Sequence, residues 1–326
     1  MLGMTQKVTR RNALQLALVA SAAPLAWQVE QARGAHVPAP VAANEGEGLT
    51  SYIKAGQVAI RWNNFIVASY RTSPLQKYPY FSHLTGPQTG IPLTTESSIP
   101  FPHHRGVWLG CEPLNDGDYW TDAELDKGQI RSIDLQLGEI TATSVEIRNR
   151  CQWIRRGAAS PLADERRIVF QVPNNHVRLI DFDMQITALE PISVKKAKHS
   201  FFAIRVAPDL SPLGGGNLVN SAGDVGESGT FGKPANWCSY YGKRRGLDGN
   251  IVEGIAVMDH PQNPWHPCPW FTRDYGHLSP SPFNFLTRPW ELREGESIRL
   301  RYRVALHAGT PQEAGLDQIY REWLVS

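Results

Sequence analysis

Side chains able to do chemistry are concentrated between residues 100 and 120. The segment carries imidazole, guanidinium, carboxylate, amide and indole groups in His103, His104, Arg105, Trp108, Asn115, Asp118 and Trp120. Imidazoles transfer protons or bind metals, a guanidinium holds anions, carboxylates act as acids or bases, and indoles stack on sugar rings. Such clustering is typical of a functional site. The alternative is a polar hairpin mouth whose His and Arg side chains cap backbone carbonyls.

Spacing within this segment limits which side chains can act together. His103 and His104 are adjacent. Neighbours on a strand point to opposite faces, so at most one of the two imidazoles is expected to face a shared cleft. Asp118 lies two residues before Trp120, and a carboxylate beside an indole suits a sugar subsite. Asp116 and Gly117 also read as an ordinary turn.

A second group of candidates lies toward the C-terminus, around a proline-rich loop between residues 260 and 284. Its members are His260, Trp270, Arg273, Asp274, Tyr275 and His277, and they are preceded by Lys198, His199 and Trp237. His199 is a candidate base or a loop cap, and Arg273 with Asp274 could form a surface ion pair of little energetic value. The tryptophans could stack on sugar rings or fill a core.

Short runs of alternating apolar and polar residues predict the elements that position these groups. Residues 177–189 and 297–307 alternate strictly, and Asn63-Asn64 separates two such runs as a hairpin turn would. Only the tail, 311–323, has helical spacing. About ten or more strands with long connections predict an all-β protein, a large two-sheet antiparallel β-sandwich with a short C-terminal helix.

Composition and the N-terminus bound the kind of protein. The net charge is +2 and no basic block interleaves with aromatic residues, so a nucleic-acid partner is not expected. Arg10-Arg11 and the apolar run after them predict a twin-arginine signal peptide over residues 1–35, recognised by the export machinery of that route, and a location in the periplasm or outside the cell. That run is too short for a permanent membrane span. Residues 36–50 read as a flexible lead-in, and 51–326 as one β-sandwich domain.

Metal and disulfide signals are weak. Cys111, Cys151, Cys238 and Cys268 lack CxxC spacing, so a zinc ribbon is not expected. The thiols could form disulfides or be buried and free. Several His residues with acidic neighbours could hold a divalent cation, but no HxH or HExxH spacing exists. No cofactor and no metal ligand is therefore predicted.

Several segments in order resemble the bacterial family usually described as methane oxygenase PmoA-like. They are residues 78–94, 102–120, 199–210, 232–242 and 254–285, which include most of the candidate residues. The resemblance implies a sandwich similar to the galactose-mutarotase-like and polysaccharide-lyase sandwiches, whose concave sheet face binds sugar. It also implies that the two candidate loops lie at the same end of the sandwich. One departure is Lys198-His199-Ser200, where the family commonly has Lys-Glu-Gly.

These observations lead to a periplasmic carbohydrate-active enzyme, a glycoside-cleaving hydrolase or lyase or a sugar isomerase. His104 or His199 would be the base, and His103 belongs to the same catalytic set. Asp118 or Asp274 would be the acid or orienting group, and Arg105 and Arg273 would hold an oxyanion or a substrate carboxylate. The substrate-binding set is Trp108, Asn115, Trp120, Lys198, Trp237, His260, Trp270, Tyr275 and His277. The alternatives are a non-catalytic sandwich that binds carbohydrate through Trp120, Trp237 and Trp270, and a metal-binding accessory protein.

Overall fold

Two antiparallel sheets of eight strands each form the framework of the protein. The computed structural model describes residues 47–121, 124–245 and 250–325. The predicted signal peptide, 1–35, and most of the predicted lead-in lie outside these residues. Within them, no helix is both long and apolar enough to cross a membrane. The predicted all-β class and two-sheet antiparallel sandwich are confirmed.

The strands in chain order are β1 (Leu49–Lys54), β2 (Gln57–Trp62), β3 (Phe65–Arg71), β4 (Tyr80–Ser82), β5 (Glu96–Ser98), β6 (Phe101–Arg105), β7 (Val107–Glu112), β8 (Gln129–Ile140), β9 (Ser144–Ile154), β10 (Leu162–Asn174), β11 (Val177–Ala188), β12 (Ile192–Val194), β13 (His199–Arg205), β14 (Asn217–Asn220), β15 (Trp237–Lys243), β16 (Val252–Asp259), β17 (Trp270–Arg273), β18 (His277–Pro280), β19 (Trp290–Leu292) and β20 (Ser297–Ala308). The α-helices are α1 (Gly226–Thr230) and α2 (Leu316–Leu324).

Sheet A has the strand order β1-β2-β3-β4-β7-β13-β18-β17, and sheet B has the order β14-β15-β16-β20-β11-β10-β9-β8. Two smaller ribbons, β5-β6 and β12-β19, stand apart from them. The chain enters sheet A at Leu49, two residues before the predicted domain start.

The core lies between the sheets and follows from strand alternation. On β11, Ile180, Phe182, Met184 and Ile186 are buried, while the intervening Asp and Gln side chains face outward. Phe182 of sheet B meets two rings of sheet A, Phe81 at 5.8 Å and Phe202 at 4.9 Å between ring centroids. Burying one such aromatic side chain stabilises the fold by roughly 1.5–3 kcal/mol, so this row of rings holds the two sheets together.

The C-terminal helix is shorter than the sequence pattern predicts. Residues 311–315 form turns, and α2 begins at Leu316 after Gly315, whose φ of 67° is left-handed. The prediction of a helix from residue 311 is therefore wrong at its start. The apolar spacing is nevertheless used, because Leu316, Tyr320 and Trp323 are buried against sheet B.

The four cysteines are free and buried. Burial raises the pKa of the Cys111 and Cys151 thiols. Of the two alternatives left open by the sequence, the structure shows buried free thiols.

Strand pairing at the centre of sheet A places the chemistry. Opposite residues on β7, β13 and β18 share a face, and the pairs are His199 with Glu112, Ala203 with Trp108, and Arg205 with His277. Alternate residues on β13, such as Phe202, point toward sheet B. The paired polar and indole side chains therefore lie on the face of sheet A that points away from sheet B.

Candidate functional site

One ribbon and two connecting segments converge on this outer face. The β5-β6 ribbon brings Phe101 to Arg105, the segment after β7 brings Trp120, and the turn between β17 and β18 brings Tyr275. The passage from β6 to β7 requires glycine at position 106. Its φ is 59°, and a Cβ there would lie 1.9 Å from the Phe81 carbonyl oxygen.

Four imidazoles and two indoles form what we call the imidazole cluster: His103, His104, His199, His277, Trp108 and Trp120. The His104 ring stacks on His277 with centroids 4.7 Å apart and lies 5.4 Å from Trp108. His103 lies 4.6 Å from His104 and 6.2 Å from His199. The predicted meeting of the segment 100–120 with the loop 260–284 is therefore confirmed.

The expectation that only one of His103 and His104 faces a shared cleft is wrong. Both rings belong to the cluster, because β6 lies in a separate two-stranded ribbon rather than within sheet A. Side chains on opposite sides of that ribbon contact different cluster members. His103 contacts His199, and His104 contacts His277 and Trp108.

His199 is held by a carboxylate. Its Nδ1 lies 2.8 Å from Glu112 Oε2, and its ring stacks on Trp120 with centroids 5.3 Å apart at 13°. Since a carboxylate only accepts hydrogen bonds, Nδ1 carries the proton and Nε2 is the acceptor. Burial lowers the pKa of His199, and the Glu112 carboxylate opposes that shift without cancelling it. His199 is thus a neutral, oriented base that is 19% exposed.

The other two deeply placed imidazoles are also neutral. Burial is the main reason that the pKa values of His104 and His277 lie far below the usual range, and the surrounding His and Arg side chains lower both further. The Arg205 Nη1 atom lies 3.3 Å from His104 Nδ1. A guanidinium only donates, so His104 accepts through Nδ1 and carries its proton on Nε2.

Three buried nitrogens of this cluster have no hydrogen-bond partner among the described residues. They are Trp108 Nε1, Trp120 Nε1 and His277 Nδ1. Their rings lie close together, Trp108 5.2 Å from Trp120 and 5.8 Å from His277. A buried polar group without a hydrogen bond destabilises a fold by roughly 1–3 kcal/mol, and such groups are kept where a ligand or a water satisfies them.

Several predicted catalytic residues lie beside the cluster with their polar atoms engaged elsewhere. Arg105 donates to Gln76 Oε1 at 2.5 Å. Arg273 pairs with Glu227 at 2.7 Å and stacks 4.2 Å from the Phe271 centroid. Asp274 Oδ1 accepts from the backbone N of Glu227 at 3.0 Å, so these two residues hold the turn to α1.

Asp118 positions its own loop. Its Oδ1 accepts from the backbone N of Trp120 at 2.9 Å and of Thr121 at 2.8 Å, and its Oδ2 accepts from the Thr121 hydroxyl. Burial alone would raise the pKa of Asp118, but these hydrogen bonds hold it below its usual range. Asn115 ties the same loop to the chain near residue 191, accepting from Ser193 N at 3.1 Å.

The predicted substrate-binding residues divide into two groups. Tyr275 lies by the cluster, 5.0 Å from Phe101, and Lys198 is exposed next to His199. Trp237, His260 and Trp270 lie elsewhere. Trp237 donates to Asp317 of α2 at 2.9 Å, and His260 meets Trp323 edge-on at 4.9 Å. Trp270 is fully buried and donates to the Ala235 carbonyl.

Two residues of the site are absent from the sequence-based predictions, Glu112 and Arg205. Glu112 ends an apolar strand on the Trp108 side of β7, and Arg205 ends the apolar strand β13. A charged residue in an otherwise apolar strand was the available signal for both. Among the described residues, no three or more His, Cys, Asp or Glu side chains are placed to hold one metal ion.

A family model matches residues 45–321, which contain every residue of the cluster. It is described as a family of unknown function, DUF6807. The chain belongs to the DUF6807 family. The PmoA-like name indicated by the sequence stays a prediction. No curated protein matches this DUF6807 member in sequence.

Solved structures similar to this DUF6807 member include three described as sugar epimerases or their homologues. An aldose 1-epimerase candidate from Klebsiella pneumoniae has a TM-score of 0.42 at 10% identity, over 82% of this chain and 83% of that one. Galactose 1-epimerase from Lactobacillus acidophilus has 0.33 at 10%, over 83% and 98%. The GalM/aldose epimerase homologue from C. elegans has a TM-score of 0.32 at 7% identity, over 80% of this chain and 98% of that one.

Proposed function

We propose that this protein is a carbohydrate-active enzyme that works by proton transfer, as a sugar isomerase or a lyase does, with His199 as the base. The observation that carries the proposal is the pairing of His199 with Glu112 at the partly exposed edge of the imidazole cluster. A neutral imidazole whose second nitrogen is held by a carboxylate is suited to accept a proton at neutral pH.

The chemistry assigns a part to each group. His199 Nε2 takes a proton from the sugar, and the Glu112 carboxylate stabilises the imidazolium that forms. In an isomerase the same proton, or one from solvent, then returns to the sugar. In a lyase the carbon–oxygen bond to the leaving group breaks, and the proton from the imidazolium or from solvent goes to the leaving oxygen. The Trp108 and Trp120 indoles have N–H groups that can donate to sugar hydroxyl oxygens, and the His277 Nδ1 atom can accept from a hydroxyl. A polyhydroxylated ligand supplies both kinds of partner.

Proton transfer is favoured over two-carboxylate glycoside hydrolysis. Hydrolysis of that kind uses an acid and a second carboxylate on either side of the scissile bond. Among the described residues, Glu112 is the carboxylate bonded to a cluster imidazole. Asp118 already uses both oxygens within its own loop. The arrangement therefore favours one base over a pair of carboxylates.

The proposed activity is tested by measuring proton exchange, anomer interconversion and elimination in unlabelled sugars. Neutral sugars and uronic acids are incubated with the protein in D₂O, and NMR measures deuterium entry at carbon and the approach of anomers to equilibrium. Ultraviolet absorbance of a new carbon–carbon double bond measures elimination. We expect one of these signals with the unaltered protein and its loss in His199→Asn.

The matched control is His83→Asn, because His83 is exposed and has a left-handed φ of 58°, which Asn accepts. Equal turnover by His199→Asn and the unaltered protein contradicts the proposal. Saturable binding of a sugar with no exchange, anomer conversion or elimination supports instead the non-catalytic carbohydrate-binding protein.

The proposal includes export by the twin-arginine route, which rests on Arg10 and Arg11. Cell fractionation of the full chain checks it. We expect the protein in the periplasm, and Arg10→Lys with Arg11→Lys should retain it in the cytoplasm. Equal periplasmic amounts of both forms contradict this part.

A further inference from the structure

Arg205 is a buried cation whose guanidinium contacts no oxygen of the described residues within hydrogen-bond distance. Its exposed fraction is 6%, its Nη1 contacts His104 Nδ1, and its guanidinium carbon lies 4.5 Å from the Tyr275 ring centroid. Its Nε atom is buried and has no hydrogen-bond partner. Within the described part of the chain, no carboxylate lies within ion-pair distance of Arg205. Burying such a charge is unfavourable unless a counter-charge reaches it.

The other buried arginines of the described residues show the usual solution. Arg166 pairs with Asp164 at 2.6 Å, and Arg303 pairs with Asp181 at 2.6 Å. Arg178 donates to the carbonyl oxygen and hydroxyl of Thr85 at 2.6 and 2.7 Å. Arg244 donates to the Pro92 carbonyl at 2.8 Å. Arg205 therefore differs from its equivalents in this fold by having an imidazole nitrogen and a ring face where they have oxygens.

The groups around Arg205 leave its charge uncompensated. His104 and His277 are neutral, and they face it from β6 and β18. Arg273, on β17, has its charge offset by Glu227. Burial also lowers the pKa of Arg205, which shows how little the surroundings favour its charged form. This end of the imidazole cluster is therefore positive while the His199 end carries the Glu112 carboxylate.

We infer that Arg205 binds the carboxylate of an acidic sugar, a uronic acid or a uronic-acid residue of a polysaccharide. The inference deepens the proposed function and rests on it, since it names the substrate class of the same site. A planar guanidinium matches a carboxylate in shape, and one cation balances its single charge. A phosphate group carries more charge and would need further cations, but Arg105 and Arg273 already bond to Gln76 and Glu227.

The row of contacts in the cluster determines how a bound acidic sugar would be oriented. Contacts run from Arg205 to His104, from His104 to His103, and from His103 to His199. A sugar whose carboxylate lies at Arg205 extends along this row, so that another part of the same ring or the next sugar lies beside His199. Arg205 is thus a specificity-determining residue, and the His199–Glu112 pair performs the proton transfer.

Isothermal titration of the full protein with three matched ligands tests the inference. Glucose, glucuronate and glucose 6-phosphate share one ring and differ at one substituent. We expect glucuronate to bind at least about tenfold more tightly than glucose, because its carboxylate adds a charge-assisted hydrogen bond. Tighter binding of glucose 6-phosphate than of glucuronate, equal binding of glucose and glucuronate, or no saturable binding of any of the three overturns the inference.

Variants separate the charge from other effects. Arg205→Met should remove the preference for glucuronate over glucose, and Arg205→Lys should keep part of it. Arg148→Met alters an arginine on the outer face of sheet B and should leave the preference unchanged. A preference that survives in a folded Arg205→Met overturns the inference. The ligand series on the unaltered protein decides the question if Arg205→Met does not fold.

The two proposals fail differently. Preference for glucuronate that persists in His199→Asn, with no turnover in the unaltered protein, supports the acidic ligand and removes the enzyme. Turnover of neutral sugars, with no preference for glucuronate, supports the enzyme and removes the acidic ligand.

Discussion

Both sheets carry polar groups on part of their outer faces, yet these polar groups are arranged in opposite ways. On sheet B, Arg299 pairs with Asp183 at 2.5 Å and Arg150 pairs with Asp134 at 2.9 Å, around a groove of about 400 Å³. On sheet A, the imidazole cluster has few charges, and several of its nitrogens lack protein partners. The density of charged side chains therefore does not mark the candidate site. The candidate site is distinguished by imidazole and indole nitrogens that lie close together without hydrogen-bond partners among the described residues.

The two faces differ in what they contribute to the fold. Exposed ion pairs such as those on sheet B stabilise a protein by about 0–1 kcal/mol each, and other pairs could replace them. The cluster on sheet A instead places neutral bases and indole N–H groups at fixed positions, at some expense of stability. Sheet B's face suits solvent, and sheet A's face suits a ligand.

Removal of the Glu112 carboxylate should have the largest effect. Glu112→Gln keeps the shape but no longer stabilises a His199 imidazolium, so we expect kcat to fall about 100-fold while sugar binding is retained. The control is Glu165→Gln on the outer face of sheet B. Kinetics with the substrate found by NMR measures both, and an unchanged kcat in Glu112→Gln contradicts the role of the pair.

The pH profile of the reaction sharpens this prediction. His199 must be neutral to act, and burial lowers its pKa. The rate should therefore be constant above about pH 6.5, the ordinary His value, and fall only as the pH drops through the lowered pKa of His199. In Glu112→Gln the opposing carboxylate is gone, so this limb should move to still lower pH. A shift toward higher pH contradicts the assignment.

Acid should destabilise the two faces over different pH ranges. His104 and His277 have folded pKa values far below their unfolded value, so the unfolded chain binds more protons below pH 6.5. Each should lower the free energy of unfolding by about 1.4 kcal/mol per pH unit as the pH falls below about 6.5. His260 and His307, whose pKa values burial lowers to about 4, add to this slope.

On sheet B, the Arg299 guanidinium lowers the pKa of Asp183, so the stability from that pair is lost only below about pH 4. Urea unfolding between pH 7.5 and about 3 measures both effects. His277→Phe should reduce the slope between pH 6.5 and about 5, and His83→Asn should not. An unfolding free energy that stays constant from pH 7 to about 5 contradicts neutral buried imidazoles.

Replacing Trp108 by Phe should have a smaller effect. It should weaken sugar binding without lowering the free energy of unfolding. The variant removes a buried N–H without a protein partner and keeps an aromatic ring. We expect the free energy of unfolding to be unchanged or to rise by about 1 kcal/mol, while sugar affinity falls several-fold. Urea unfolding and titration calorimetry measure the two. Loss of stability without loss of affinity contradicts a ligand-binding role for this indole.

The smallest effect is expected on sheet B. Asp183→Asn breaks the ion pair with the exposed Arg299, so the free energy of unfolding should change by less than about 1 kcal/mol, with turnover unaltered. A large loss of turnover in this variant would show that the groove on sheet B, not the cluster on sheet A, carries the function.

Alternation along the strands was sufficient to predict the sandwich. In a half-buried strand such as β11, apolar residues alternate with polar ones because successive side chains face the core and the solvent. The segment 100–120 and the loop after residue 260 were also found, since both concentrate imidazoles and indoles. The pairing of His199 with Glu112 could not be found in this way. It depends on the register between β13 and β7, which are separated in the chain by 87 positions at this contact.

The same limit applies to predicted site residues whose polar atoms have partners outside the imidazole cluster. Trp237 and Trp270 have the same residue type as Trp108, but their strands turn them toward α2 and the core. Asp118 is a carboxylate close to Trp120, as predicted, but its Oδ1 already accepts hydrogen bonds from the backbone N–H groups of Trp120 and Thr121. Residue type predicts what a side chain can do, and only the three-dimensional contacts show which atoms remain available.

The enclosed sulfur atoms of the chain have a practical consequence. All four cysteines are free and buried: Cys111, Cys151, Cys238 and Cys268. Folding therefore requires no disulfide formation, and no cysteine thiol is exposed for thiol–disulfide exchange. The chain should therefore reach the same conformation in a reducing cytosol as in an oxidising medium. Under the proposed twin-arginine export, the chain would therefore fold before transport and keep the same fold after it.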